Sequence, residues 1–162
     1  MPLEEQFIHM IRTHEGMLFK TSTVYTRTRE DQQDLYQEIV VQLWRAFPRF
    51  RQESGISTWI YRIALNTAIT HLRKAKRRKN EIPIDQLILQ YTDNQDPVFE
   101  DRVKILYRYI EQLSDLDKGI MLLFLEDKSY EEIAEIIGIS VSNVGTRLSR
   151  IRQKMKTQMT HE

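Results

Sequence analysis

A chain of 162 residues, 41% hydrophobic and 29% charged with only five Gly and four Pro, describes one folded domain or two small ones, rich in helix, and not a disordered polymer. The absence of cysteine excludes a disulfide framework and a thiolate metal site, leaving four His to carry any transition-metal chemistry. The net charge of +1 conceals an uneven distribution: Arg73, Lys74, Lys76, Arg77, Arg78 and Lys79 crowd one stretch, Arg147, Arg150, Arg152, Lys154 and Lys156 another, and acids dominate residues 111–135.

Residues 1–13 set Glu4, Glu5, His9 and Arg12 among their apolar neighbours and so lack the unbroken apolar run of a signal peptide. No later run approaches the ~18 apolar residues of a membrane span, so a cytoplasmic protein without membrane insertion is expected.

Residues 31–47 place Leu35, Ile39, Leu43 and Phe47 four apart, with Asp34, Glu38, Gln42 and Arg45 opposite, which predicts an amphipathic helix ended by Pro48. A polar loop to Gly55 leads to Ser57 or Thr58 as N-cap of a long helix running from Trp59 towards Arg78. Ile60, Ile63, Ala64, Thr67, Ala68 and Leu72 form its apolar stripe; Trp59, Arg62, Asn66 and Arg73 form another. Between residues 80 and 97 the period fades, and Pro83, Asp93, Asn94, Asp96 and Pro97 mark a linker whose apolar patch at 82–89 is expected to dock on one of its neighbours. The resulting expectation is all-α: two small helical domains, 1–80 and 99–162, joined by a linker at 81–98.

Beyond the linker, Phe99, Val103, Leu106, Ile110 and Leu113 keep a helical period, and Ser114 with Asp117 predicts a cap for a helix containing residues 120–125. Ser129 with Glu132 is a capping-box pattern, Gly138 a left-handed terminator, and Ser140 a cap for a last helix running towards Lys156. Residues 130–149 thus meet the requirements of a helix-turn-helix: Ala134 is small where helices approach, and Ile133, Ile137, Ile139, Val144 and Leu148 supply a shared core. The second helix then presents Ser142, Asn143, Thr146, Arg147, Ser149, Arg150 and Arg152, groups able to bond base edges or phosphate. Arginines alone fit a merely solvated face as well; the capped turn and the apolar spacing favour a DNA-reading face.

The stretches Asp31-Gln-Gln-Asp34-Leu-Tyr-Gln37-Glu38, Trp44-Arg45-Ala-Phe-Pro-Arg-Phe50 and Ser57-Thr-Trp59-Ile-Tyr61-Arg62-Ile-Ala64-Leu-Asn66 closely resemble the second conserved region of sigma factors of the extracytoplasmic-function (ECF) group of the sigma-70 family. Leu113 and the run Ser129-Tyr-Glu-Glu132-Ile-Ala134, continuing to Arg150, resemble that group's fourth conserved region, so the resemblance covers residues 5–79 and 99–157 in order. It implies an RNA polymerase subunit that directs the core enzyme to promoters. By resemblance, Asp34, Gln37, Glu38, Trp44 and Arg45 dock on a coiled coil of the polymerase's largest subunit.

The resemblance also implies that the helix from Trp59 meets the proximal promoter element, with Asn66 and the loop at 51–57, including Ser57, holding a flipped base, and residues 73–79, including Arg73, Lys74 and Arg77, gripping phosphate. Trp59, Tyr61, Arg62 and Asn66 are chemically suited to unpaired bases, which need rings to stack on, an amide and cations. Core packing accounts for Trp59 and Tyr61 equally well.

Gly145 departs from the family, standing where a Lys or Arg beside the groove is common. No sensor module accompanies the two halves, so regulation is expected from a separate anti-sigma protein. His9 and His14, five apart, make a poor ligand pair, His71 sits in a basic helix, and no phosphate loop, nucleophile elbow or paired-carboxylate signature occurs, so neither catalysis, metal nor cofactor is expected. The competing reading is a dimeric helix-turn-helix regulator with an N-terminal sensing domain. A sensing domain has no evident need for the dense basic helix that ends the first half; a second DNA-contacting surface does.

Overall fold

The computed structural model describes residues 2–50, 55–76 and 97–160, and in these the backbone forms seven α-helices and one short 3-10 turn. The linker expected at 81–98, its apolar patch, Arg77 and most of the loop at 51–57 fall largely outside the described residues.

The first domain comprises α1 (Leu3–Val24), α2 (Arg29–Ala46) and α3 (Ile56–Ala75). No element was expected where α1 forms, yet Phe7, Met10, Met17, Leu18 and Thr21 give it a buried stripe at helical spacing. Its last turn is rich in hydroxyls that donate back to the helix, Thr21 Oγ1 to Met17 O at 2.9 Å and Ser22 Oγ to Phe19 O at 2.7 Å, and Gln32 Nε2 then ties α2 to Ser22 Oγ at 2.7 Å. Thr28 caps α2 by accepting from Asp31 N, and Leu35, Ile39 and Leu43 are fully buried. The helix ends at Ala46, and Phe47–Arg49 tightens into a 3-10 turn around Pro48. α3 starts earlier than expected: Gly55 is its N-cap, while Ser57 and Thr58 lie in its first turn. Thr58 is buried and Ser57 Oγ stands 3.5 Å from His14 Nε2, so neither hydroxyl serves as the cap.

The second domain comprises α4 (Pro97–Glu111), α5 (Asp115–Leu125), α6 (Tyr130–Ile137) and α7 (Val141–Thr160). Pro97 opens α4, where its missing N–H costs nothing. Ser114 caps α5 through Asp117 N, and Ser140 caps α7 through Asn143 N. At α6 the capping box is complete: Glu132 N donates to Ser129 Oγ and Ser129 N to Glu132 Oε1, each at 3.1 Å. These bonds hold the Glu132 carboxyl below the ordinary range, so its contribution is present at neutral pH and is lost as the pH falls from the ordinary carboxylate range down through that lowered value. Gly138 ends α6 at φ +86°, a conformation that costs other residues about 1 kcal/mol or more, and the N–H groups of Gly138 and Ile139 both reach Ala134 O. Ser129→Ala should lower unfolding free energy by about 1 kcal/mol in urea titrations followed by circular dichroism; an unchanged midpoint would mean the box is idle.

The two domains share one continuous buried core. In the first it holds Leu18, Leu35, Ile39, Leu43, Ile60 and Ala68; in the second, Ile120, Leu123, Ile133, Val144 and Leu148. At the junction α3 packs on α6, and α1 on α4 and α5. Tyr25, 1% exposed, donates its hydroxyl to Asp115 O at 2.8 Å. Burial, aided by the Asp115 charge, pushes its phenol pKa well up. Gly119 allows this approach, because a Cβ there would stand 3.2 Å from Tyr25 Oη and 3.4 Å from Leu65 Cδ2. Lys118 is almost fully buried beside it, 5.9 Å from the Tyr25 ring centre, and burial pulls its pKa down against the opposing pull of Asp115.

Candidate nucleic-acid and polymerase interfaces

The outer face of α2 combines polar and apolar groups in one stripe. Asp34, Gln37 and Arg45 are exposed, and Val41 and Trp44, respectively 43% and 38% exposed, share their face at steps of three and four. Trp44 is held edge-on by Phe7 of α1, with ring centres 5.0 Å apart, so its orientation is set from behind. Glu38 is half-turned inward: His71 of α3 lies with Nδ1 3.1 Å from Glu38 Oε2 and Nε2 2.7 Å from Asp31 Oδ1, bridging the helices. Val41 was not among the expected site residues, although it lies two turns beyond Asp34.

On α3, Asn66, Arg73 and Lys74 are exposed. Trp59 is half-buried against Phe50 and Phe47, with ring centres at 4.9 and 6.2 Å. Tyr61 is 4% exposed and faces the second domain, where Lys128 Nζ sits 5.2 Å from its ring centre; burial, then the charges of Glu126 and Glu132, raise its pKa. Arg62 also turns to the second domain, donating through Nη2 at 2.9 Å and Nε at 3.3 Å to Glu135 O. The expected proximal-element residues thus divide: Asn66 and Lys74 face outward, Arg73 is exposed but pairs with Asp115 of the second domain, and Tyr61 and Arg62 lie at the junction.

On α7, Ser142, Thr146, Ser149 and Arg150 are exposed on one flank. Arg147 is braced, donating from Nη1 to Asp117 Oδ1 at 2.9 Å and from Nε to Asn143 Oδ1 at 3.3 Å, and the Arg152 guanidinium lies 4.4 Å from the Phe124 ring centre. Gly145 faces Tyr130, whose Cε2 would be 3.6 Å from an added Cβ.

Ion pairs join the domains with one polarity. Lys20 meets Glu126 at 2.8 Å, Arg27 meets Glu111 at 2.7 Å, Arg62 approaches Glu135 Oε1 at 4.0 Å, and Lys76 and Arg73 flank Asp115 at 3.2 and 3.7 Å. In each, the first domain supplies the cation and the second the acid.

Capped helices around a left-handed glycine, with a polar and cationic flank on the second helix, define a DNA-binding helix-turn-helix attached to a second helical domain with a basic face. Residues 10–78 match the family description Sigma-70 region 2, and residues 104–155 match Sigma-70, region 4. The chain is 31% identical over 153 residues to RNA polymerase sigma factor SigV of Bacillus subtilis, covering 94% of this chain and 90% of that one. It is 33% identical over 141 residues to the ECF RNA polymerase sigma-E factor of Escherichia coli, covering 80% and 74%. Among solved structures, the fold is shared with the sigma factor RpoE in complex with the anti-sigma factor NepR from Bartonella quintana, at TM-score 0.75 and 17% identity over 96% of this chain and 98% of that one. It is shared too with CnrH in complex with the cytosolic domain of CnrY, at TM-score 0.72 and 20% identity over 98% and 90%. The chain belongs to the sigma-70 family of RNA polymerase sigma factors, in the ECF group. Sigma factors are transcription initiation factors and not catalysts in themselves. Among the described residues, no helix is long and apolar enough to cross a membrane.

Proposed function

We propose that this sigma factor works in the cytoplasm, docking on core RNA polymerase through the α2 face of Asp34, Gln37, Glu38, Val41, Trp44 and Arg45. The domain at 1–80 also engages the proximal promoter element through Ser57, Trp59, Tyr61, Arg62, Asn66, Arg73, Lys74 and Arg77. The domain at 99–162 reads the distal element with Ser142, Asn143, Thr146, Arg147, Ser149, Arg150 and Arg152, and the segment at 81–98 spans the two. This work requires no cofactor, metal or catalytic group of its own, and the partners seen on the solved relatives support control by a separate anti-sigma protein.

The observation that carries this reading is the α2 face. A half-exposed tryptophan and valine, ringed by Asp34, Gln37 and Arg45 on an otherwise polar helix face, have the composition of a protein-docking surface. Size-exclusion co-elution with sigma-free core polymerase tests it. The wild-type chain should co-elute at moderate salt, and Trp44→Ala should weaken the complex by about 30-fold, as truncation of a central interface tryptophan does. Undiminished binding of Trp44→Ala would place the docking surface elsewhere.

A further inference from the structure

Beside the buried Tyr25 lies a cavity of about 300 Å³ that no part of the proposed function uses. Arg27, Thr28, Asp31 and Lys76 of the first domain and Glu111 and Lys118 of the second contribute to its walls. Among the described residues, the charges around it are matched one by one with a single exception. Glu111 takes Arg27 at 2.7 Å, Asp115 takes Lys76 at 3.2 Å, and Asp31 takes His71 Nε2 at 2.7 Å. Lys118 is left over. The residue is 6% exposed, and among the described residues its ammonium has no hydrogen-bond acceptor or carboxylate partner, only the Tyr25 ring with its centre 5.9 Å away.

A buried ammonium without an acceptor is costly, because water is withdrawn and nothing replaces it. Burial accordingly pulls the Lys118 pKa down; Asp115 opposes this, and Lys76 and Arg27 add to it, so the ammonium is within electrostatic reach of the cavity's other walls. Thr28 Oγ1 accepts from Asp31 N, which leaves its own proton able to donate. What the position lacks is a compact anion, and the cavity, at the small end of ligand pockets, has room for one.

We propose that this cavity is a binding site for a small phosphate-class anion, held by Lys118 from the second domain and by Arg27, Lys76 and the Thr28 hydroxyl from the first. Phosphate suits these donors better than chloride or a monocarboxylate. Its several oxygens accept from ammonium, guanidinium and hydroxyl at once, and its charge offsets the burial of Lys118. Free phosphate or pyrophosphate and the phosphate tail of a nucleotide carry the same chemistry. A ligand gripped by both domains stabilises the folded chain by mass action.

Isothermal titration calorimetry of the full chain with pyrophosphate, at constant ionic strength set by chloride, tests the site. Saturable binding is expected, with a thermal midpoint that rises with pyrophosphate concentration. Lys118→Met should weaken binding at least about tenfold, the loss of one charge-assisted hydrogen bond. In chloride the same variant should melt no lower than wild type, because an apolar chain of similar length suits the buried position. Lys154→Met removes the same charge from an exposed position on α7 and should bind as wild type does. ATP in place of pyrophosphate separates the two sources: tighter binding of ATP assigns a nucleotide, and tighter binding of pyrophosphate assigns the free anion.

A readout on the unaltered chain covers the case of a variant that fails to fold. Pyrophosphate should protect Lys118 severalfold from limiting acetic anhydride, read by peptide mass spectrometry, and leave Lys154 as reactive as before. No saturable binding of phosphate, pyrophosphate or ATP at millimolar concentrations overturns the site. So does undiminished binding by Lys118→Met, and so does labelling of Lys118 that the anion leaves unchanged.

Discussion

Asn66→Ala should slow promoter opening roughly tenfold in polymerase carrying this subunit, the equivalent of one lost amide-to-base hydrogen-bonding contact of about 1–3 kcal/mol. Asn66 is exposed on α3, one turn beyond Arg62, with Ala64, Leu65 and Ala68 buried beside it in sequence. Its neighbour Thr67 donates Oγ1 to Ile63 O at 2.7 Å, so the local helix is held by groups other than the amide. Truncating an exposed side chain on such a frame should change stability by no more than about 0.5 kcal/mol. The loss should therefore appear in permanganate reactivity of unpaired thymines, with core co-elution intact. Opening at the wild-type rate would remove Asn66 from the proximal-element site, and an equal loss of polymerase binding would mean that it acts through docking.

Leu148→Ala should be the most damaging single truncation in the helix-turn-helix, lowering unfolding free energy by about 2–5 kcal/mol. Leu148 is fully buried and belongs to the same cluster as Ile133, Ala134, Val144 and Ile151, the residues that set α7 across α6. Loss of the side chain leaves a void that these neighbours close only in part, and it loosens the helix that carries Ser142, Thr146, Ser149 and Arg150. Because the core runs unbroken into the first domain, wild type should unfold in one calorimetric transition, and the variant at a lower temperature. A variant that melts with wild type would show the site collapses without cost; two separated transitions in wild type would show that the junction adds little cohesion.

Much of the architecture was legible because it depends on local chemistry. Ser129, Glu132, Gly138 and Ser140 specify their caps and turn within four residues of themselves, and the stripe of Leu35, Ile39 and Leu43 declares the buried face of α2 by period alone. The start of α3 was misplaced because Ser57 and Thr58 are strong cap formers by type, whereas the chain gives one to the interior and the other to His14. Helix α1 was missed although Phe7, Met10 and Met17 carried its signal. The exposure of the proposed site residues Asp34, Gln37, Asn66, Lys74 and Arg150 follows from helical phase. The inward turn of Tyr61 and Arg62 does not, since it depends on a domain more than sixty residues away. The acidic run at 111–135 stood out without an assigned role; four of its members, Glu111, Asp115, Glu126 and Glu135, meet cations of the first domain.

Arg62 reaches Glu135 through the main-chain oxygen at 2.9 Å, whereas the carboxylate stands 4.0 Å away. Any amino acid at position 135 would offer that same carbonyl, so drift there leaves the principal bond in place. Homologous sequences could then diverge freely at 135 while retaining the arginine, and the two positions would show little covariation despite touching. Heritable coupling between the halves would instead be recorded at 115, where only a side-chain carboxylate can gather Arg73 and Lys76 together.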